Sequence, residues 1–335
     1  MQTSSRMRFG MLAAAAALAT LLSGCAGAAS GSNASGDDAS SIDLPRVSTV
    51  ASYPTLPSGL KQGLFDDAFG ADASGMQIDY VASGPDGVQA LTGGHTDIVI
   101  GGYDPGVLLT GDVRILALTE ASPETHAVLV KPGSDIASVD DLKGKTVGGF
   151  QATLPPFLSL MLEKDGRDPD FINYIQVPND GGLAALTSGA IDAWYTWDPF
   201  FAQAELQDLA KPIVTGDDFF LNPIVMQTTQ KYLDEHPESI KAFIEGYIAS
   251  TDWINANPTE ARDYMAEATG MTKEAAEITI DRRHYEVTVP SDTDIDWMNR
   301  VGELQHDSGL ITGVPDLTTV ITSDVTAEAL AAQQG

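Results

Sequence analysis

By type and surroundings, the side chain best placed for covalent chemistry is Cys25, the single cysteine of the 335-residue chain. It follows Leu22-Ser23-Gly24, and small residues before a lone cysteine suit a lipoprotein-processing peptidase. The thiol at the new N-terminus then takes a diacylglycerol, with a further acyl chain in some organisms. One acyl chain holds a protein at a membrane only marginally, whereas two or three hold it firmly. Arg6 and Arg8 form a basic leader, and residues 11–22 an uncharged apolar run, too short for a permanent span and right for a signal segment. Residues 1–24 therefore read as a signal peptide and 25–44 as a flexible tether of small polar residues. The expected location is extracytoplasmic, held at the cell membrane by lipid on Cys25. The bland alternative is a secretory signal with an accidental cysteine nearby. An internal disulfide is excluded.

Other reactive groups form no catalytic pattern. His95, His126, His236, His284 and His306 are scattered, with no metal-ligand spacing among them. There is no G-x-S-x-G elbow, phosphate loop or dinucleotide fingerprint. Asp292, Asp294 and Asp296 echo a calcium loop, but Trp297 stands where glycine is required, so helix capping is the better reading. No cofactor or metal is expected, and the chain reads as a non-enzyme. The formal net charge is −29, from 18 basic and 47 acidic residues. Loss of Arg6 and Arg8 with the leader leaves 16 basic residues and a net charge of −31. Such a surface repels nucleic acid and anionic headgroups.

These groups must be positioned by an alternating α/β chain. Strands are expected at 46–51, 76–81, 96–101, 113–118 and 125–130, with helices at 58–69 and from 87. A second unit shows strands at 146–149, 174–177 and 191–195 and helices at 156–165 and 181–188. Leu91-Thr92-Gly93-Gly94-His95-Thr96-Asp97-Ile98 and Leu186-Thr187-Ser188-Gly189-Ala190-Ile191-Asp192-Ala193 share a pattern, which suggests two lobes of like build. Short connections imply mostly parallel, helix-covered sheets. After Asn222-Pro223 the chain reads as mainly helical, and the Ala- and Gln-rich residues 327–335 as prone to fray. The expected organisation is lobe I from 45–135 and 223–335, and lobe II from 136–222.

Two stretches resemble a known family. Asp141-Leu142-Lys143-Gly144-Lys145 is similar to the segment that opens the second lobe of extracytoplasmic solute-binding proteins. The run from Ala185-Leu186 through Ser188-Gly189, Ile191-Asp192-Ala193-Trp194 and Trp197-Asp198-Pro199-Phe200 resembles the aliphatic sulfonate, taurine and nitrate binding group, which includes thiamine-pyrimidine-precursor binders. Arg282-Arg283-His284-Tyr285-Glu286-Val287 and Ser308-Gly309-Leu310-Ile311 are similar to its final helices. The resemblance covers residues 45–320. It implies a type II periplasmic-binding-protein fold, two α/β lobes joined by two crossover strands. It also implies a monomer that passes a sulfonate, taurine-like or similar small anion or zwitterion to an ABC permease and its ATPase. The alternatives are a thiamine-pyrimidine-precursor binder or related enzyme, or a membrane-anchored sensor of the same fold.

In an open α/β sheet a ligand sits beyond the carboxyl ends of the strands, where helix N-termini present free amides. The junctions in question contribute Tyr53; Gly102, Tyr103 and Asp104; Gln151, Ala152 and Thr153; and Asn179. Trp197, Asp198 and Asn222 fall near the second crossover, and Arg282 is the basic candidate. Tyr53 and Tyr103 offer ring surface and a hydroxyl. Trp194 reads as core.

Overall fold

Short apolar runs bounded by turn residues make the strands of the computed structural model, which describes residues 42–333. The expected signal peptide, Cys25 and the tether up to residue 41 lie outside the described residues. Residues 42–44 already belong to the body: Ile42 and Leu44 pack on the core, and Ser239 Oγ donates to the Asp43 carbonyl. The expected tether boundary at 44 is corrected accordingly.

Eleven strands form two sheets among the described residues. They are β1 (Val47–Val50), β2 (Ile78–Val81), β3 (Ile98–Gly102), β4 (Val113–Ala121), β5 (His126–Val130), β6 (Thr146–Gly149), β7 (Asn173–Gln176), β8 (Ala193–Trp197), β9 (Lys211–Thr215), β10 (Pro223–Thr229) and β11 (Tyr285–Thr288). The first sheet runs β11-β4-β10-β3-β1-β2 and the second β7-β6-β8-β5-β9.

The expectation of mostly parallel sheets needs correction. The pairs β1–β2, β1–β3, β6–β7 and β6–β8 are parallel, but β10–β3, β10–β4, β11–β4, β5–β8 and β5–β9 are antiparallel. For the pairs made by β5 and β10 the cause is the crossing of the chain between lobes. A strand that enters a lobe from the other one starts at the inner edge and runs against its neighbours. β5 does this in the second sheet and β10 in the first, each from an interior position.

Because β5 pairs with β8 and β9, the first crossing lies at residues 122–125 rather than at 135. The second runs over 216–222 into β10. The chain after Asn222-Pro223 is mainly helical, as expected, but it begins with a strand that the sequence does not show, β10. Six of its seven residues are buried, so neither face shows the alternation that reveals a half-exposed strand.

The 20-residue helix Pro237–Ala256 covers one face of the first sheet, packing Phe243, Ile244, Tyr247 and Ile248 with Phe65. Each such buried side chain contributes about 1.5–3 kcal/mol. Residues 327–333, expected to fray, belong instead to the helix Asp324–Gln333, where Ala329 is buried and Thr326 Oγ1 donates to the Leu116 carbonyl. Ser291 and Asp294 form a capping box at the start of Asp292–Asp307, as the capping reading expects. Trp194 is buried in the second lobe, its ring against Gly182, where an added Cβ would lie 2.2 Å away.

Candidate functional site

The carboxyl ends of the parallel strands from both sheets face one cleft of about 260 Å³. β1 delivers Ser52 and Tyr53, β3 delivers Gly102, Tyr103 and Asp104, β6 delivers Phe150 and Gln151, and β8 ends in Trp197, followed by Asp198. The entering strands contribute from the opposite sense: His126 begins β5, and Phe220 and Asn222 precede β10. On the first lobe Gly101 lies against Gly84, which opens the helix Gly84–Thr92; a Cβ on either would come within about 3 Å of the facing backbone. That close approach brings Ser83 and Gly84 into the wall.

The two crossings are tied together. Asn222 Nδ2 donates to the Ser122 carbonyl at 3.1 Å and to Thr125 Oγ1 at 3.0 Å. Asn222 adopts a left-handed φ of 47°, a conformation asparagine tolerates better than most residues.

Aromatic rings line the cleft in a chain. Phe150 meets Trp197 edge-on at 4.5 Å between centroids, Trp197 lies 5.8 Å from His126, and His126 lies 5.1 Å from Phe220. Phe220 meets Trp297 at 5.3 Å, and Trp297 lies 6.4 Å from Tyr103. The chain therefore runs from the second lobe to the first. Tyr103 is anchored by donation from its hydroxyl to the Met298 carbonyl. Burial raises its pKa, with the Asp104 charge adding to the effect.

Both arginines beside the cleft are held by carboxylates. Arg283 Nη1 lies 2.8 and 2.9 Å from the two oxygens of Glu120, and both side chains are about 5% exposed or less. Arg283 also sits 5.1 Å over the Tyr53 ring. Burial pushes the Tyr53 hydroxyl up to about 12. Asp198 is buried, accepts from the Ala202 amide, and pairs with Arg282 at 3.1 Å. Burial raises the Asp198 carboxyl pKa against the opposing pull of Arg282. Asp104 Oδ1 accepts from the Gly106 amide, and burial again raises its pKa. His126 Nδ1 shares a hydrogen bond of 2.9 Å with the Tyr195 hydroxyl. Burial, aided by Arg283, pulls its pKa down to about 3, so the imidazole is neutral at ordinary pH.

Of the residues singled out from sequence, Tyr53, Gly102, Tyr103, Asp104, Gln151, Trp197, Asp198 and Asn222 line the cleft. Ala152, Thr153, Asn179 and Arg282 do not. Ala152 points to solvent. Asn179 is the first residue of the helix Asn179–Ser188. Arg282 caps the helix Lys273–Asp281 and reaches Asp198 and Glu205 while stacking on Phe201 at 3.8 Å. Its neighbour Arg283 turns to the cleft instead. His126, Phe157, Phe220, Arg283 and Trp297 were missed. Phe220 stands two residues before Asn222, a signal that was available; Trp297 arrives from a distant helix, which no local pattern shows.

Among the described residues no group of three or more His, Cys, Asp or Glu side chains is arranged to hold a metal ion. The cleft can enclose an apolar or aromatic group and offers hydroxyls, amides and a carboxylate for orientation.

Residues 74–261, more than half of the chain, match the family described as NMT1/THI5 like. The chain belongs to the NMT1/THI5-like family. A Bacillus subtilis relative, provisionally named an aliphatic sulfonates-binding protein, is 24% identical over 268 residues, covering 77% of each chain. A formylaminopyrimidine-binding protein of Halalkalibacterium halodurans is 25% identical over 57% of this chain and 61% of its own. Among solved structures, the periplasmic aliphatic sulphonate binding protein SsuA of Escherichia coli superposes with a TM-score of 0.77 at 18% identity, over 83% of this chain and 91% of that one. The periplasmic-binding-protein fold is thus the fold of this family member. It is not confined to binders: the desulfurization enzyme DSZB superposes with a TM-score of 0.65 at 16% identity, over 86% of this chain and 99% of that one.

Proposed function

We propose that this chain is an extracytoplasmic solute-binding protein of an ABC importer. It captures a small organic molecule between its lobes and delivers it to a transmembrane permease driven by an ATPase. The observation that carries the reading is the ring-lined cleft at the facing strand ends, joined by two crossings that Asn222 holds together. Its volume lies near the low end of small-molecule sites, about 300–1,000 Å³. The relatives' names support a sulfonate or a pyrimidine derivative as the ligand class.

A binder is favoured over a catalyst because the cleft presents no activated nucleophile. His126 is engaged with Tyr195. Cys25 carries the lipid anchor and the protein works as a monomer. Acyl labelling of the wild-type chain, lost in Cys25→Ser, tests the anchor. Unchanged labelling in the variant would refute it. The binding role is tested by thermal unfolding with a panel of sulfonates, nitrate, taurine, pyrimidines and amines, since a ligand bound only by the folded state raises Tm. No shift with any member would count against capture.

A further inference from the structure

We propose that the cleft is built for an organic cation, a protonated amine or quaternary ammonium on a small apolar body, with Asp104 facing its charge. The inference rests on the capture reading above and deepens it. It departs from the anionic sulfonate that the relatives' names suggest.

The first observation is the balance of fixed charge. Two cations, Arg282 and Arg283, stand among four carboxylates: Glu120, Asp198, Glu205 and Asp104. Arg283 is the sole cation on the cleft wall among the described residues, and both Glu120 oxygens hold it. Arg282 is shared between Asp198 and Glu205. Asp104 has no cationic partner. Its Oδ1 accepts from the Gly106 amide, and no described residue donates to Oδ2. An anion entering this cleft would lose its hydration and meet a surplus of negative charge.

The second observation concerns the helix starts at the cleft. Free amides there would be the natural holders of an anion. The helix Pro156–Lys164 opens with Pro155 and Pro156, neither of which has an N–H to donate. The helix Gly84–Thr92 carries Pro85 and Asp86 in its first turn. Pro105 follows Asp104 at the third start, where the Gly106 amide is already used. Pro85, Pro105, Pro155 and Pro156 each remove one amide donor from these starts, and Asp104 occupies the Gly106 amide.

The third observation is the chain of rings. The rings of Trp197, Phe220, Trp297 and Tyr103 line the cleft, Phe220 meeting Trp297 at 5.3 Å and Trp297 lying 6.4 Å from Tyr103. Aromatic faces attract a desolvated cation, tryptophan most strongly. The net charge of −29 draws cations toward the surface and repels anions.

The test is calorimetric titration of the purified full chain with four probes that share one phenethyl body: phenethylammonium, phenethyltrimethylammonium, 2-phenylethanol and 2-phenylethanesulfonate. The expected result is that at least one ammonium binds about tenfold or more tightly than the alcohol, with the sulfonate weakest. The two ammonium arms separate hydrogen bonding from cation–π attraction: a primary-amine preference assigns the contact to Asp104, and a quaternary preference to the rings. Asp104→Asn keeps an Oδ1 for the Gly106 amide and is expected to erase the ammonium-over-alcohol preference. A sulfonate that binds as tightly as the ammoniums overturns the charge assignment and leaves capture standing. An ammonium preference that survives Asp104→Asn unchanged overturns the role of Asp104. Failure of all four probes in a protein that also co-purifies with no small molecule counts against capture itself.

Discussion

Asn222 Nδ2 donates to Thr125 Oγ1 across 3.0 Å, and so one chain crossing between the lobes is held by the other. The same amide reaches the Ser122 carbonyl. Asn222→Ala removes both bonds, each worth about 1 kcal/mol, and places alanine in a left-handed conformation that costs about 1–2 kcal/mol more. A loss of about 3 kcal/mol is expected in urea unfolding. Asn222→Gly is expected to recover the backbone part alone.

Arg282 and Asp198 form a second link between the lobes. Arg282→Met leaves the Asp198 carboxylate buried without its partner, and a loss of about 3–5 kcal/mol is expected. Adding Asp198→Asn is expected to restore much of it, because the neutral amide needs no counter-charge. A double-mutant cycle by chemical denaturation measures this, and additive losses would contradict the pairing.

Stability depends on His126 with a definite sign. Its pKa falls from 6.5 unfolded to about 3 folded, so below pH 6.5 the unfolded state binds more protons. The contribution is fully present above pH 6.5 and is lost as pH falls from there toward 3. Asp104 and Asp198, with raised folded pKa values, act in the opposite sense at more acid pH. His126→Gln is expected to flatten the fall between pH 6.5 and 5 in Tm measurements. An unchanged slope would place the dependence elsewhere.

Gly182→Ala sets a Cβ about 2.2 Å from the Trp194 ring, which has no room to retreat in its buried site. Overpacking of this kind costs about 1–3 kcal/mol, readable as a lowered Tm and a changed tryptophan emission. Wild-type stability in the variant would contradict the packing.

Much of this architecture is legible in the sequence, because local signals mark it. The pattern at Leu91–Ile98 and again at Leu186–Ala193 discloses two lobes, and β6 spans residues 146–149 as its apolar run suggests. β10 is not legible, since burial on both faces erases its alternation. Tyr53, Tyr103 and Trp197 are legible as cleft residues because they follow strand ends. Arg282 and Arg283 are not separable by pattern: adjacent residues leaving a helix point to different walls, and only the turn after Asp281 decides which reaches the cleft. Trp297 and Phe220 meet across 77 positions of chain, a relationship that only tertiary packing creates.

The claim that this cleft holds a small molecule is tested most directly by native mass spectrometry of the gently purified wild-type chain beside a Trp197→Ala, Phe220→Ala variant. The account predicts a small-molecule adduct on the wild type that is absent from the folded variant. An adduct retained equally by both, or a wild-type chain that carries none and gains none from the ligand panel, would contradict it.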